Sequence, residues 1–401
     1  IQTHCLIDRR QRIGDHQVPF VKNAIEGSNN LTDPNIPWFN LRNQTSSSKL
    51  TNEHLRGFTK LRPSIFTTHS LKSQKFAKLK RNFSRYNIHK RGGSIQGDHI
   101  YFIKQLIGAP KNRSRPGHSL RNYLQCMHEI AIAWSQLPTN EKSSSEAKQL
   151  SAMYCLMTEH LLDQGFIAGS SLGTMDNFGY STRAWVPAVE LMQQPLEERE
   201  LLETVRLALA WYYNSYQILT PSPDHANMDY LNTLAASNLR IHALGTDDTA
   251  KLHRLQNYSK WLSDTITAPS LGSSRGFKPD GSLYHHKMHY HGYGVPALNN
   301  TSLHVVAKLD GTPFEISNEA YTVLKNAMLK IQLWGFPYSG WNACGRHPLT
   351  ANPNQLKHAL LALAKSKPGT NDIDTELAAT YLAMFGGNSK HLFGKAIAPF
   401  Q

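Results

Sequence analysis

The sequence predicts an all-α fold, an incomplete (α/α) toroid built from helical hairpins. Three observations carry that expectation. From residue 119 onward, apolar side chains recur every three or four residues in one segment after another, which is the period of an amphipathic helix. The segments are of medium length, and loops rich in Gly, Pro and Asn separate them, so chain neighbours pack as antiparallel pairs. Alternating strand patterns are sparse and no short motif repeats at a fixed interval, which favours an irregular helical ring over a regular solenoid.

Taken in order, residues 1–50 are polar, rich in Asn, Ser and Thr, and carry Pro34 and Pro37. They read as an extended linker wrapping the body, with residues 51–401 forming the toroid. Between Glu53 and Asp98 there is no acid but there are eleven Lys and Arg, densest in KFAKLKRNFSRYNIHKRGG (75–93). That run is either a solvated helix face or one wall of a groove for a polyanion. In SLRNYLQCMHEIAIAWSQL (119–137), Leu120, Tyr123, Met127, Ile130 and Trp134 share one helical face. The next helix, within 144–166, takes its start from Ser144 or Ser145 with Glu146 and its stop from Gly165. TRAWVPAVELMQQ, LEERELLETVRLALAWYYNSYQIL, DYLNTLAASNLRIHALG and DDTAKLHRLQNYSKWLSDTI continue the pattern. NEAYTVLKNAMLKIQLWG, NQLKHALLALAKS and IDTELAATYLAMFGG complete it. Two long loops interrupt the helices, 268–302 and 335–355, and long loops within compact domains are often functional.

The 401 residues exceed the usual single core, so one large repetitive domain or two domains are expected. A hydrophobic fraction of 40% with 18% charged residues excludes a disordered chain. No apolar run is long enough to span a bilayer, and the first twenty residues lack the apolar core of a signal peptide. They read as mid-protein sequence. The net charge of +14 draws polyanions: nucleic acid, anionic membrane or acidic polysaccharide. No nucleic-acid-binding motif accompanies it. Cys5, Cys126, Cys155 and Cys344 lie far apart without CxxC spacing, which reads as scattered buried thiols and not as a zinc knuckle or disulfide framework.

The chemistry concentrates in YHHKMHYHGYG (284–294), with four histidines, three tyrosines and two glycines in eleven positions. Three readings compete. A metal site would use His285 with His289, or His289 with His291, but no HExxH occurs and the nearest acid is Asp280. A structural reading leaves the histidines hydrogen-bonded in a loop. An acid–base reading pairs a histidine that titrates near neutrality with a tyrosine whose proton a cationic neighbourhood loosens. Glycines beside Tyr293 would let the backbone approach a ligand. On a basic, aromatic groove, such a pair suits β-elimination from a uronic acid, provided donors neutralise the carboxylate beside the departing proton. Arg346, with Trp341 and His347 in WNACGRHPLT, supplies candidates. So do Asn177, Tyr180, Arg183 and Trp185 in GTMDNFGYSTRAW, and His225, Asn227 and Asp229 in PDHANMDYLNTL. Asn300 lies just beyond the histidine-rich stretch. Aromatic rings stack on sugar faces, while Arg, Asn and His bind anions and hydroxyls.

MYCLMTEHLLDQGF, GYSTRAW, MDYLNTL, GFKPDGSLYHHKMHYHGYGVPA and GRHP, in this order and spacing, resemble the central helical domain of the chondroitin ABC lyases of polysaccharide lyase family 8. The resemblance covers about 120 to the C-terminus well and the preceding residues loosely. It implies a lyase that cuts glycosaminoglycans such as chondroitin sulfate and hyaluronan, with dermatan sulfate as a third candidate, to a 4,5-unsaturated uronate. It implies His286 and Tyr293 as acid–base residues and Arg346 as the arginine that holds the tyrosine and the glycosidic oxygen. It further implies an enzyme acting as a monomer, secreted or periplasmic, that requires no cofactor, with room for a non-catalytic divalent cation. Asp176 and Asn177 stand where these enzymes have a His-His pair associated with dermatan, so Asn177 is expected to neutralise the carboxylate instead. His285 stands where they have an arginine and reads as a substrate contact beside Trp185, Arg183, Asn227, Trp341, His347 and Asn300. The family's flanking β-sandwich domains are missing, so the chain is expected to be the helical domain of a larger enzyme. The alternatives are a glycosaminoglycan-binding module without catalysis and a metal-dependent polysaccharide hydrolase.

Overall fold

Helix starts are written into the chain by short polar side chains. Ser119, Ser144, Asp247 and Asp374 each precede an amphipathic run, and each side chain accepts a hydrogen bond from the backbone N–H three residues on. These caps satisfy amides that have no partner within the helix. The computed structural model describes residues 49–65, 75–101, 117–168, 182–215, 218, 228–269, 275–334, 356–386 and 389–398. The 1–50 linker expectation falls almost wholly outside them.

Among the described residues the helices are α1 (Asn52–Ile65), α2 (Phe76–Ser84), α3 (Leu120–Gln136), α4 (Ser145–Asp163), α5 (Trp185–Leu191), α6 (Gln193–Glu197) and α7 (Leu202–Tyr212). They continue with α8 (Ala235–Ala243), α9 (Asp248–Thr267), α10 (His291–Thr301), α11 (Asn318–Trp334), α12 (Lys357–Lys365) and α13 (Thr375–Phe385), with single short turns at Thr139–Glu141 and Ala307–Leu309 besides. Two π-helical turns, Tyr230–Leu234 and Ser302–Val306, lead into α8 and out of α10. Strands are two or three residues long. They form the pairs β1 (His89–Arg91) with β2 (Ser94–Gln96), β3 (Ile100–Tyr101) with β4 (His118–Ser119), and β8 (His391–Leu392) with β9 (Lys395–Ala396). One three-stranded sheet, β5 (Gly276–Phe277), β6 (Leu283–His285) and β7 (Met288–His289), stands beside α10. The fold is all-α in character, with sheets as local clips.

The chain divides into two compact units. One takes its described residues from 66–216 and 244–246; the other takes them from 45–65, 217–243 and 247–401. In the first, α3 packs on α4 and α5. Leu120, Tyr123, Met127 and Ile130 are fully buried, as their spacing predicts. Trp134 is half-buried and carries the Lys142 ammonium 3.7 Å above its ring. Gly165 ends α4 with φ of 86°, a backbone conformation that glycine adopts without strain, and its N–H donates to the Leu162 carbonyl at 2.9 Å. Cys126 and Cys155 are buried free thiols; burial pushes them up to about 12 and about 11.

In the second unit, α9 buries Leu255, Tyr258 and Trp261, and the Tyr258 hydroxyl donates to the Ala235 carbonyl at 2.8 Å. α12 and α13 pair as a hairpin. Asp374, the buried cap of α13, also meets the Lys325 ammonium of α11 at 2.8 Å. α10 sits between both π-helical turns and the three-stranded sheet. This is the arrangement that places the histidine-rich stretch.

Candidate functional site

The stretch 284–294 is not one loop. It is the second hairpin of the sheet followed by the first turn of α10. The KPDGS segment turns β5 into β6: Asp280 accepts from the Ser282 N–H at 2.9 Å and its hydroxyl at 2.7 Å, and Gly281 has φ of 84°. β6 then pairs with β7, Tyr284 opposite His289 and His285 opposite Met288. The two residues of that turn, His286 and Lys287, have φ of 51° and 62°. Two left-handed residues are what a tight hairpin turn with the right twist needs, but side chains with a Cβ adopt that conformation at a cost. The strain holds His286 on an exposed turn, and such strain gathers at functional sites.

The adjacent histidines differ in exposure, because His285 ends β6 and His286 begins the turn. His285 is only 2% exposed; its Nε2 lies 3.5 Å from Asp229 Oδ2. Its ring stacks on Tyr293 at 5.0 Å and 19° and lies 3.9 Å from the His286 ring. Tyr290 flanks the group, 6.0 Å from His285 and 5.8 Å from Tyr293. The Tyr293 hydroxyl donates to Asp229 Oδ1 at 2.6 Å, the length of a strong hydrogen bond to an ionised acceptor. His285, His286, Tyr293 and Asp229 therefore form one cluster.

The glycine next to Tyr293 has a different purpose from the one its sequence suggests. A Cβ on Gly294 would lie 2.4 Å from Leu283 Cβ, so the close approach is to strand β6 and not to a ligand. The contact seats α10 on the sheet, and the Tyr290 N–H donates to the Leu283 carbonyl at 2.8 Å. α10 is also tied to the first π-helical turn. The Asn300 amide donates to the Asn232 carbonyl at 2.9 Å and to Asn232 Oδ1 at 2.8 Å. The Thr301 hydroxyl donates to the Leu231 carbonyl at 3.4 Å.

The geometry gives three of the expected substrate contacts partners within the fold. Asn300 spends its amide on Asn232 and so fixes the helix that carries Tyr293. His285 is buried and faces Asp229, so it supports the cluster from behind. Trp185 is fully buried, edge-on to Tyr212 at 5.6 Å, and offers no face to a sugar. Arg183 is exposed just ahead of α5. Asn177, Asn227, Trp341, Arg346 and His347 lie outside the described residues. Asp229 stands in the sequence as one of several polar candidates in PDHANMDYLNTL; its partners lie 56 and 64 residues away, and no local signal marks it as a member of this cluster.

His289 and His291 keep structural roles. His289 Nδ1 accepts from the Leu283 N–H at 3.1 Å, and His291 is fully buried at the start of α10. Among the described residues no three His, Cys, Asp or Glu side chains gather as a metal-ligand set. Burial lowers the His289 pKa from its ordinary 6.5, against a smaller opposing pull from Asp280. The unfolded chain thus binds a proton more readily than the fold does, and stability falls as pH drops below about 6.5. His289→Asn keeps an acceptor for Leu283 but cannot titrate. Urea unfolding from about pH 8 to about pH 5 is expected to show the parent's advantage over this variant shrinking with acidity. A constant difference would remove His289 as the cause.

Comparison with known proteins adds three findings. A family model described as "Lyase, catalytic" matches residues 44–391. A chondroitin sulfate ABC endolyase of Proteus vulgaris is 31% identical over 421 aligned positions, covering 98% of this chain and 39% of that protein. A chondroitin sulfate ABC exolyase of Bacteroides thetaiotaomicron is 26% identical over 405 positions, covering 96% of this chain and 38% of that protein. The chain thus spans about two fifths of the length of these relatives. No described helix is long and apolar enough to cross a membrane.

Proposed function

Because the chain belongs to the chondroitin ABC lyase-like polysaccharide lyases, we propose that it carries the acid–base centre of an enzyme that cuts chondroitin sulfate and hyaluronan by β-elimination. The observation that carries this reading is the Tyr293 hydroxyl, held at 2.6 Å by Asp229 and backed by His285, with His286 exposed on the neighbouring turn.

The step balances without an added reagent. A base removes the hydrogen on C5 of the uronate. The electron pair left behind forms the C4–C5 double bond as the C4–O bond breaks, and a proton reaches the departing glycosidic oxygen. The carboxylate on C5 stabilises the developing charge only when donors neutralise it; in this reading Asn177 takes that role, and Arg346 holds Tyr293 and the glycosidic oxygen. Tyr293 removes the C5 proton of glucuronate and returns one to the leaving oxygen. His286 is the base for a proton on the opposite face, as in iduronate. No cofactor is required, and the enzyme acts outside the cytoplasm as a monomer.

A second reading, a binding module without chemistry, is favoured by one observation. Lys78, Arg81 and Arg85 are exposed on the side of α2 opposite buried Leu79 and Tyr86, a basic stripe suited to a polyanion. One experiment separates the readings. Chondroitin, dermatan and hyaluronan are incubated with the protein, and ultraviolet absorbance of an unsaturated uronate is followed. The lyase reading expects absorbance to rise with chondroitin and hyaluronan and to persist with chelator. No rise with any polymer, while polymer still binds, leaves the binding module. Loss with chelator, with products that lack the double bond, points to a metal-dependent hydrolase.

A further inference from the structure

Asp229 uses both carboxylate oxygens within the cluster: Oδ1 accepts from the Tyr293 hydroxyl, and Oδ2 faces His285 Nε2. Its side chain is 17% exposed and His285 2% exposed, so solvent screens these contacts only in part. Tyr293 is faced by Asp229 from the segment entering the π-helical turn, by His285 from β6 and by Tyr290 ahead of α10. His286 lies against His285. Asp229 thus sets a carboxylate in direct contact with the phenol.

A negative charge at hydrogen-bond distance holds a phenol protonated, because losing the proton would set two anions side by side. A cation on the other side of the carboxylate relieves that repulsion. We propose that Asp229 is a positioning residue for Tyr293: it aims the hydroxyl and sets its acidity, and the charge on His285 tunes the setting. The assignment deepens the lyase reading, which supplies the reason why the acidity of Tyr293 matters. It gives the buried histidine a purpose that contact with substrate does not. Protonated His285 pairs with Asp229 and eases release of the Tyr293 proton; neutral His285 leaves the carboxylate to hold that proton in place.

The test is a titration of the whole chain that needs no substrate. Ultraviolet absorbance of ionised tyrosine is followed with pH, and subtracting the Tyr293→Phe curve isolates Tyr293. Tyr123, Tyr154 and Tyr258 are pushed well above the usual range by burial and do not overlap. Asp229→Asn removes the charge at nearly constant shape, and its Tyr293 midpoint is expected about one pH unit or more below the parent's. Asp229→Glu keeps the charge and is expected to stay near the parent. Thermal unfolding reports which variants fold; if Asp229→Asn does not, Asp229→Ser deletes the charge in a smaller side chain and is read the same way. In turnover, Asp229→Asn is expected to change kcat far more than KM and to move the Tyr293 limb of the pH profile to lower pH. A midpoint that stays put or rises when the charge is removed overturns the proposal. A lowered midpoint with no unsaturated product from the parent protein keeps the coupling and sinks the lyase reading. An unmoved midpoint with normal turnover sinks the coupling alone.

Discussion

Tyr293→Phe is expected to lower kcat by about a thousandfold while polymer still binds. General acid–base groups contribute roughly 10²–10⁴-fold, and this phenol is assigned both proton transfers on glucuronate. The substitution removes one oxygen and little else. The ring keeps its stack on His285 at 5.0 Å and its seat in the first turn of α10. Asp229 loses its donor but is partly exposed, so water replaces the hydroxyl at modest cost. KM is expected to change little, because the substitution keeps the ring and removes only the hydroxyl. Steady-state kinetics on chondroitin, with a parallel binding assay, reads both quantities. A kcat within about tenfold of the parent would assign the acid–base work to another group.

Gly294→Ala is expected to damage both stability and turnover. Its Cβ would sit 2.4 Å from Leu283 Cβ, far inside van der Waals contact, and neither side can yield easily. Leu283 is fully buried in the central strand of the sheet, and the Gly294 N–H donates to the Tyr290 carbonyl at 2.8 Å. Overpacking of this kind costs about 1–3 kcal/mol. The relief available is for α10 to lift from β6, which carries Tyr293 with it. Misplacing a catalytic group by about 1 Å costs on the order of 100-fold in rate. A lowered melting temperature together with that loss of kcat is the expected outcome. A variant as stable and active as the parent would mean that α10 need not seat on Leu283.

What could be read in the sequence follows from how locally each feature is encoded. Ser144, Asp247 and Asp374 cap their helices from three residues away, and Leu120, Tyr123, Met127 and Ile130 reach the core by period alone. α10 falls within the 268–302 stretch that reads as loop in the sequence, and its Gly292, Gly294 and Pro296 all weaken a helix. Tertiary bonds, such as Asn300 to Asn232, hold it helical. His285 and His286 look equivalent in sequence; the end of β6 buries one and the turn exposes the other. Trp185 is ambiguous in sequence, since an aromatic residue near polar neighbours suits a sugar platform as well as a core; the structure buries it edge-on to Tyr212. The motif singles out His286 and Tyr293 in the sequence, whereas nothing local singles out Asp229, which meets Tyr293 across 64 residues.

The central claim is that this chain serves an elimination and not a hydrolysis, and the mass of the product made from chondroitin tests it most directly. Elimination yields an oligosaccharide lighter by one water than the hydrolysis product, with the double bond at its non-reducing end. The account predicts that species with the parent protein and its near disappearance with Tyr293→Phe. Fragments that have taken up a water, or unsaturated fragments formed just as fast by the Tyr293→Phe variant, would contradict it.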